Sequence, residues 1–347
     1  MKKVIFALAA VVALAACSQE DVIVADKGAA IGFDTFVGKA TRVDDKTLTT
    51  GNLTDFAVYG AVTNTVNGTP ATALIFNNVE VVKGGAGMDA DEYAGQAKTE
   101  WKYAGTQYWI AGATYDFAAV APYKCGAEGA FDAATETTTI DFENDAVTDL
   151  LYAQTLNVPG AESGNQPVGF DFRHVLSKVK FSFENQYLST GTTIRVREIV
   201  LTNAHKTATA TLNAGTAWDE HDAGELSIAF GNATGAQTDT PEAIAQESEK
   251  ESFNVRFIIP GKEHEYKVSF LVDVLYGETV IKTYKHTASV TFTPVAGTAY
   301  DIKTVIDHEN IDPENKQEPI EFTVNTIPGW GEYNNEEEAE INPAQNN

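Results

Sequence analysis

The sequence predicts an all-β protein built from antiparallel β-sandwiches, and three features of the chain lead to this fold class. Apolar and polar residues alternate strictly over residues 179–184 and 253–257, which is the period of a half-buried strand. Valine, threonine, phenylalanine and tyrosine dominate such segments, and these residues fit a pleated surface. The connecting segments are rich in glycine, asparagine, aspartate and threonine. Many short strands with turn-rich connections favour a sandwich architecture.

The same alternation predicts the other strands in turn. In chain order they cover residues 56–62, 114–121, 193–201, 266–274, 288–293 and 300–305. Turn-forming segments such as residues 64–70 and 231–240 separate them. No long window has a helical period, and residues 241–251 are expected to form only a short exposed turn or two.

The chain begins with the pattern of a bacterial lipoprotein signal peptide over residues 1–16. Two lysines form a cationic start, and the apolar run at residues 4–16 is shorter than the about 20 residues that cross a bilayer. Small alanines precede Cys17, which is therefore the predicted site of acylation by palmitate-type chains and the start of the mature chain. A secretory peptide that is cleaved elsewhere is the alternative.

Charge and cysteine content restrict the partners. The formal net charge of −25 repels phosphate backbones, so nucleic acid is not an expected partner. The cysteines are Cys17 and Cys125, and lipidation of the first leaves no intramolecular disulfide, so packed cores must stabilise the protein. Glu20 and Asp21 resemble the export tag of Bacteroidetes lipoproteins. We therefore expect a protein anchored by its lipid in the cell outer membrane and exposed at the surface.

A change of composition divides the body of the chain. Apolar content falls and backbone breakers gather at residues 159–167, which predicts an N-terminal β-sandwich domain at residues 43–165 and a C-terminal one at residues 166–312. We place these boundaries where we expect few contacts between the residues before and after them.

A further strand pattern follows a polar linker in a C-terminal extension of residues 313–347. Its apolar positions are Ile320, Phe322 and Val324. A single strand with an apolar face is not stable in water by itself. It is expected to dock either on its own domain or on another molecule.

Several segments, taken in their order along the chain, resemble the fimbrillin family of Bacteroidetes. They are the lipoprotein start, residues 31–42, the aromatic run at residues 101–122, residues 172–179, residues 297–302 and the tail at Trp330. The resemblance covers essentially the whole chain. It implies a structural subunit of surface fimbriae that supports cell adhesion and assembles with other fimbrial subunits. It also implies two transthyretin-like β-sandwich domains.

The resemblance further implies an assembly mechanism. A trypsin-like, arginine-specific protease would cut between Arg42 and Val43, releasing a propeptide of residues 17–42 that contains one strand. The positions of that removable strand are Ile31, Phe33, Thr35 and Val37. A neighbour's extension would then fill the open groove by β-augmentation, with residues 320–324 as the candidate donor. The alternatives are that Arg42 is an ordinary surface arginine and that residues 320–324 form the last strand of their own domain.

Catalytic patterns are missing from the sequence. The six histidines are scattered without the paired spacing of a zinc-binding helix, and the glycines at residues 84–87 lack the Lys-Ser/Thr of a phosphate-binding loop. We expect no enzyme, no cofactor and no metal site. Acidic residues at 89–92 and 141–145 leave loop-bound calcium open, beside the plainer role of solvating a surface.

Aromatic residues supply the main rival function. Trp101, Tyr103, Tyr108 and Trp109 could stack on a sugar, which motivates a tip adhesin or a glycan-binding surface lipoprotein that does not polymerise and that binds a host glycan or protein. Aromatic residues at strand spacing are also typical of a core. His174 precedes a predicted strand and is expected to pack or to form hydrogen bonds.

Overall fold

Strands make up most of the structure. The computed structural model describes residues 29–37, 48–49, 51–93, 96, 100–126, 129–161, 166–314 and 318–327. In chain order the first strands are β1 (Phe33–Val37), β2 (Asp55–Val66), β3 (Thr69–Lys83), β4 (Trp101–Tyr103), β5 (Thr114–Ala121), β6 (Ala130–Asp132), β7 (Thr137–Glu143), β8 (Leu151–Pro159), β9 (Val168–His174) and β10 (Ser177–Asn185). The remaining strands are β11 (Thr192–Ala204), β12 (Thr207–Leu212), β13 (Thr216–Asp219), β14 (Leu226–Gly231), β15 (Ala233–Thr234), β16 (Ser248–Ser252), β17 (Arg256–Ile258), β18 (His264–Tyr276), β19 (Thr279–Phe292), β20 (Ala299–Ile306) and β21 (Thr323–Ile327). Short helical turns lie at Ala90–Tyr93 and Tyr123–Gly126, and the predicted all-β class is confirmed.

The first sheet has seven strands in the order β1-β9-β8-β5-β2-β3-β4. Its central strand β2 is buried on both faces, because Phe56 and Val58 point into one apolar core while Ala57 and Tyr59 point into another. A strand that is covered on both sides reads as a continuous apolar run, as β2 does. The sheet curls until its edges meet, where the Tyr103 hydroxyl donates a 2.8 Å hydrogen bond to the Ile31 carbonyl.

A four-stranded sheet covers the second face of the first sheet. Its strands run in the order β13-β12-β7-β6 and share a core with β2, β5 and β8. Trp218 is buried in this core beside Phe142, with ring centroids 5.8 Å apart, and its indole nitrogen donates to the Val175 carbonyl at 3.0 Å. Tyr152 lies in the same core, and burial raises the pKa of its hydroxyl.

The second sandwich encloses a separate core. One sheet has the order β15-β16-β10-β20-β21, with β17 also paired to β10, and the opposing sheet has the order β14-β11-β18-β19. Alternate residues of facing strands fill the space between them, among them Phe181, Phe183, Phe230 and Phe270. Among the described strands, two pairs run parallel, β1 with β9 and β10 with β20, whereas the sequence predicted antiparallel sheets throughout. A parallel pair needs a long connection, so alternation in a short segment cannot reveal it.

Most predicted strand segments coincide with observed strands, but of residues 253–257 only Arg256 and Phe257 lie in a strand, β17, and Phe253 is exposed. A further exception is residues 241–251, which contain no helical turn and lead into β16. Strand β9 follows the predicted boundary at residue 165 but pairs within the first sheet, and β12 pairs with β7 and, on its other side, with β13. Shared pairing does not by itself say which parts of a chain fold independently, so the domain limits stay a prediction.

Two further features are the free cysteine and the absence of a membrane-spanning helix among the described residues. Cys125 is a free, half-buried cysteine, and burial raises the pKa of its thiol to about 12, so the thiol is protonated at neutral pH. Cys17 lies outside the described residues. Over the ranges that the structure describes, no helix has the length and apolar character needed to cross a membrane.

Candidate strand-exchange site

Strand β1 is a short terminal strand that lies at the edge of the first sheet. It pairs in parallel with β9, with Phe33 opposite Val168 and Val37 opposite Phe172. Among the predicted removable positions, Ile31, Phe33 and Val37 are buried and Thr35 is half-buried. Phe36, on the other face, is 52% exposed. The strand therefore presents one apolar face to the core and one face to solvent.

Phe33 is the centre of the first core. Its ring is stacked on Phe170 at 5.6 Å and meets Phe76 edge-on at 5.4 Å. Further ring neighbours are Phe56, Tyr103 and Phe117. Gly60 makes room for this cluster, because a Cβ atom there would lie 2.8 Å from the Phe117 ring and 2.9 Å from the Phe76 ring.

Main-chain hydrogen bonds hold residues 29–32, just before β1, on both sides. The Val168 amide donates to the Gly32 carbonyl at 2.8 Å, and on the opposite side the Ile31 amide donates to the Gln107 carbonyl at 2.9 Å. The Trp109 amide donates to the Ala29 carbonyl at 3.0 Å. The segment therefore occupies a slot between β9 and residues 107–109, and a chain that replaced it would find main-chain partners on both sides.

The chain is also held on both sides of the predicted cleavage position. Arg42 and Val43 lie outside the described residues, but Val37 and Leu48 flank them. The Leu48 amide donates to a carboxylate oxygen of Asp149 at 3.0 Å, and Asp149 contacts His174 Nδ1 at 2.9 Å. His174 follows two residues after Phe172, the partner of Val37, so Val37 and Leu48 lie near the same end of β9. The predicted hydrogen-bonding role of His174 is confirmed.

Arginines elsewhere in the chain lie in strands. The sequence has five arginines, and the four apart from Arg42 lie within β9, β11 and β17. Proteases prefer exposed loops to paired strands. The arginines of the described residues are therefore poor substrates for a protease, and Arg42 lies outside the described residues.

The candidate donor segment packs on its own domain. Ile320 is buried and Phe322 is half-buried, with its ring 5.8 Å from Phe181 and 6.2 Å from Phe270. Val324 is half-buried and lies opposite Ile302 in the antiparallel pair of β21 with β20. The predicted alternation of Ile320, Phe322 and Val324 is confirmed, although the paired strand is later, at Thr323–Ile327.

The aromatic residues considered for sugar stacking are mostly core residues. Trp101, Tyr103 and Trp109 are buried in the first core, and burial raises the pKa of the Tyr103 hydroxyl. Tyr108 is half-buried. The interpretation as core residues is therefore confirmed for Trp101, Tyr103 and Trp109, whose rings fill the core and have no face left for a sugar.

The acidic loops do not form a metal site in the described part of the chain, where no group of three His, Cys, Asp or Glu residues could hold an ion. Asp145 instead orders its own loop, because its carboxylate accepts hydrogen bonds from the amides of Val147 and Thr148. Burial raises the pKa of the Asp145 carboxyl, but these hydrogen bonds lower it by more. The pKa of Asp145 is therefore lowered on balance. Asp132 likewise accepts a hydrogen bond from the Ala134 amide.

Comparison with known proteins identifies the family of this chain. Residues 41–326 match the family of fimbrillin-like proteins. This chain belongs to the fimbrillin-like family. Family membership supports a fimbrial subunit role at the cell surface, with other fimbrial subunits as partners, and points to a protein that is not an enzyme.

Solved structures similar to this fimbrillin-like chain come from related bacteria. A protein of Bacteroides uniformis described as a candidate cell adhesion protein is 16% identical, with a TM-score of 0.45 and coverage of 86% of this chain and 97% of that chain. Its counterpart from Bacteroides ovatus is 13% identical, with a TM-score of 0.46 and coverage of 87% and 98%. The fimbrial anchor protein Mfa2 from Porphyromonas gingivalis is 11% identical, with a TM-score of 0.27 and coverage of 87% and 98%. No curated protein matches this chain.

Sequence reasoning missed the walls of the slot. Phe170 and Gln107 contact the removable segment but were not among its expected partners. The alternation of Phe170 with Phe172 was a usable signal, because it predicts a strand with one aromatic face. Nothing in the sequence marked Gln107, which acts through its main-chain carbonyl.

Proposed function

We propose that this chain is a structural subunit of cell-surface fimbriae, exported as a lipoprotein on Cys17, cut between Arg42 and Val43, and joined to its neighbours by strand exchange. The observation that carries the proposal is the position of β1. A short terminal strand with a buried face and main-chain partners on both sides leaves a ready slot when it is removed. The fimbrillin-like family supports the same role.

The energetics favour refilling of the slot. Loss of the strand would expose the cavity left by Ile31, Phe33 and Val37, and burial of each such side chain contributes about 1.5 to 3 kcal/mol. It would also leave unpaired main-chain groups along β9, which are a template for another strand. A neighbour that supplies both restores the fold and links the two molecules.

The donor is the C-terminal segment with Ile320, Phe322 and Val324. These residues repeat at the spacing of two, as the apolar positions of the removable strand do, so one face could enter the slot. The segment is only partly buried on its own domain, and its release needs no cut. The lipid on Cys17 holds the precursor in the outer membrane until an arginine-specific, trypsin-like protease separates the body from its anchor.

Limited proteolysis and gel analysis test the proposal. An arginine-specific protease is expected to convert the chain to one product that begins at Val43 and forms a heat-sensitive ladder in unboiled gels. Arg42→Gln should abolish both results, while Lys39→Gln, a change in the same segment, should abolish neither. A variant that lacks residues 313–347 should be cut normally but form no ladder. A cut chain that stays monomeric would contradict strand exchange.

One observation favours a second candidate. Strand β21 pairs with β20 of its own sandwich, as expected for a subunit that keeps its C-terminal strand. Such a protein would be a tip adhesin or a glycan-binding surface lipoprotein that does not polymerise. Protein sheared from native cells would then begin at the lipidated Cys17, run as a single band, and give a signal on a glycan array.

A further inference from the structure

The outer face of the sheet that contains β16, β10 and β20 carries a lysine between two carboxyl groups. Lys180 lies on β10, the middle one of these three strands, and is buried. Its ammonium donates a hydrogen bond to a carboxylate oxygen of Glu251 on β16. On the other side, Asp301 of β20 lies directly opposite Lys180 in the parallel pair, so both side chains project from the same face. Three groups from distant segments therefore meet on neighbouring strands.

Burial makes the charged forms of the two carboxyl groups less favourable. Glu251 and Asp301 are half-buried, and burial raises the pKa of each carboxyl by more than the Lys180 ammonium lowers it. The Ser182 hydroxyl also donates to Oδ1 of Asp301 at 2.7 Å and so fixes the position of that carboxyl. A proton that passes from Lys180 to Glu251 removes both charges of the ion pair and leaves an amine, which is a nucleophile.

A second lysine on the same face shows the contrast. Lys303 also lies between two carboxylates, at 2.7 Å from Glu184 and 2.6 Å from Glu249. Its side chain is 32% exposed, however, against 6% for Lys180. The hydrogen bond from Lys303 lowers the pKa of Glu184, so these groups stay charged as an ordinary surface salt bridge. Only the buried lysine therefore meets carboxyl groups that favour the neutral form.

We propose that Lys180 and Asp301 form a covalent amide bond within the chain, with Glu251 as the catalytic base and acid. The Nζ atom of Lys180 attacks the Cγ atom of Asp301, a nitrogen–carbon bond forms, and the bond from Cγ to the hydroxyl of the protonated Asp301 carboxyl breaks. Of the three ammonium hydrogens, one stays on the amide nitrogen, one leaves with that hydroxyl as water, and one passes to Glu251. The step needs no oxidant, reductant or cofactor.

The positions of the two carboxyl groups assign their roles. Asp301 is the acceptor, because it lies directly opposite Lys180 and Ser182 holds its carboxyl in place. Glu251 takes the proton, because its oxygen already accepts the hydrogen bond from Nζ. It then returns that proton to solvent, which balances the proton that Asp301 took up. Groups held together in this way react far faster than free ones in solution.

The bond would join the strand by which the chain enters the second sandwich to the strand that precedes the C-terminal extension. Strands β10 and β20 pair from Lys178 opposite Ala299 to Asn185 opposite Ile306. A cross-link between them closes a long loop, which restricts the unfolded chain and stabilises the fold. In a fimbria, tension between neighbouring subunits would pull these two parallel strands along each other, and a covalent bond resists that sliding. This use rests on the proposed function, whereas the bond itself does not.

Peptide mapping of the full chain by mass spectrometry tests the bond. Trypsin does not cut after a lysine whose Nζ carries an amide, so the bond joins residues 179–195 to residues 286–303 in one branched peptide. The expected mass is that of the two peptides less one water, and fragmentation should locate the link at Lys180 and Asp301. Recovery of residues 181–195 and 286–303 only as separate peptides would overturn the inference.

Variants assign the role of each group. Lys180→Arg keeps the positive charge without the amine, and Asp301→Ala removes the acceptor, so both should give no branched peptide. Glu251→Gln keeps both ends of the bond and should lower the rate at which the branched peptide forms by about tenfold or more. Lys303→Arg, the matched control on the same face, should leave that rate unchanged.

Two outcomes would overturn the assigned roles. A branched peptide that forms equally fast in Glu251→Gln would exclude Glu251 as the catalyst. A link from Lys180 to Glu251 would exclude Asp301 as the acceptor. The mass measurement involves neither the cut after Arg42 nor a ladder, so a failure of strand exchange and a failure of this proposal are separate results.

Discussion

The two terminal strands differ in how deeply they enter the protein. Strand β1 contributes Phe33, which is fully buried among five aromatic rings, and the residues just before β1 form main-chain bonds on both sides. The half-buried Phe322 lies just before β21, which pairs on one side with β20. Because a deep strand costs more to withdraw than a shallow one, we expect that freeing the first slot needs proteolysis, whereas the second strand could leave intact. This asymmetry suits one strand to be removed and the other to be donated.

The largest expected effect is at Phe33. Phe33→Ala should lower the free energy of unfolding by about 3 to 5 kcal/mol, because it leaves a cavity in a packed aromatic core. Urea denaturation followed by tryptophan fluorescence measures this, since Trp101 and Trp109 lie in the same core. Phe36→Ala, on the exposed face of the same strand, is the control and should change stability by less than about 0.5 kcal/mol. Equal losses at both positions would break the comparison.

A smaller loss is expected at Phe322. Phe322→Ala should cost about 1 to 2 kcal/mol, because its ring is only partly removed from water. The loss should appear in urea denaturation followed by circular dichroism, as a lower midpoint. Leu188→Ala, an exposed change in the same sandwich, should leave the midpoint nearly unchanged. A cost at Phe322 as large as at Phe33 would mean that β21 is a fixed strand.

Hydrogen exchange compares the strands without mutation. Amides of Thr323–Ile327 should exchange faster than those of Phe33–Val37 by about tenfold or more, since a difference of about 1.4 kcal/mol in opening free energy is a factor of ten. Mass spectrometry of peptides from the two segments measures the ratio. The reverse order of protection would contradict the proposed donor.

Acidic pH is expected to change the free energy of unfolding by less than the substitutions above. His205 is buried against His264 and His221, with ring centroids 4.2 and 4.9 Å away. Burial and the neighbouring His264 lower its pKa, although Asp222 opposes the shift. An unfolded histidine has a pKa of about 6.5, so below that pH the unfolded state takes up the proton first and folding is weakened as pH falls.

The cluster joins β11 and β18 of the second sandwich to the start of β12 in the sheet that covers the first, so acid should weaken this junction. The measurement is the free energy of unfolding between pH 7 and pH 5. His205→Gln should flatten its slope, while His308→Gln, a change at an exposed histidine, should not. A slope that His205→Gln leaves intact would assign the acid effect to other groups.

The strands were more predictable than the contacts between them. Alternation located β2, β5, β10 and β18, and the resemblance to fimbrillins is confirmed by the family match. The sequence left two interpretations open for Trp101 and Trp109, because an aromatic residue at strand spacing has the same pattern whether its face meets a core or a ligand. The parallel partner of β1 was missed because it lies more than one hundred residues along the chain.

The sequence by itself determined the strand-forming segments, the alternating faces of Phe33 and Phe322, the acidic charge and the family. These depend on local period and composition, which neighbouring residues express directly. Only the tertiary structure decided that the segment leading into β1 fills a slot between β9 and residues 107–109, and that β21 is a shallow edge strand. Such features arise when distant segments are buried together, and the free energy of that burial belongs to the whole fold.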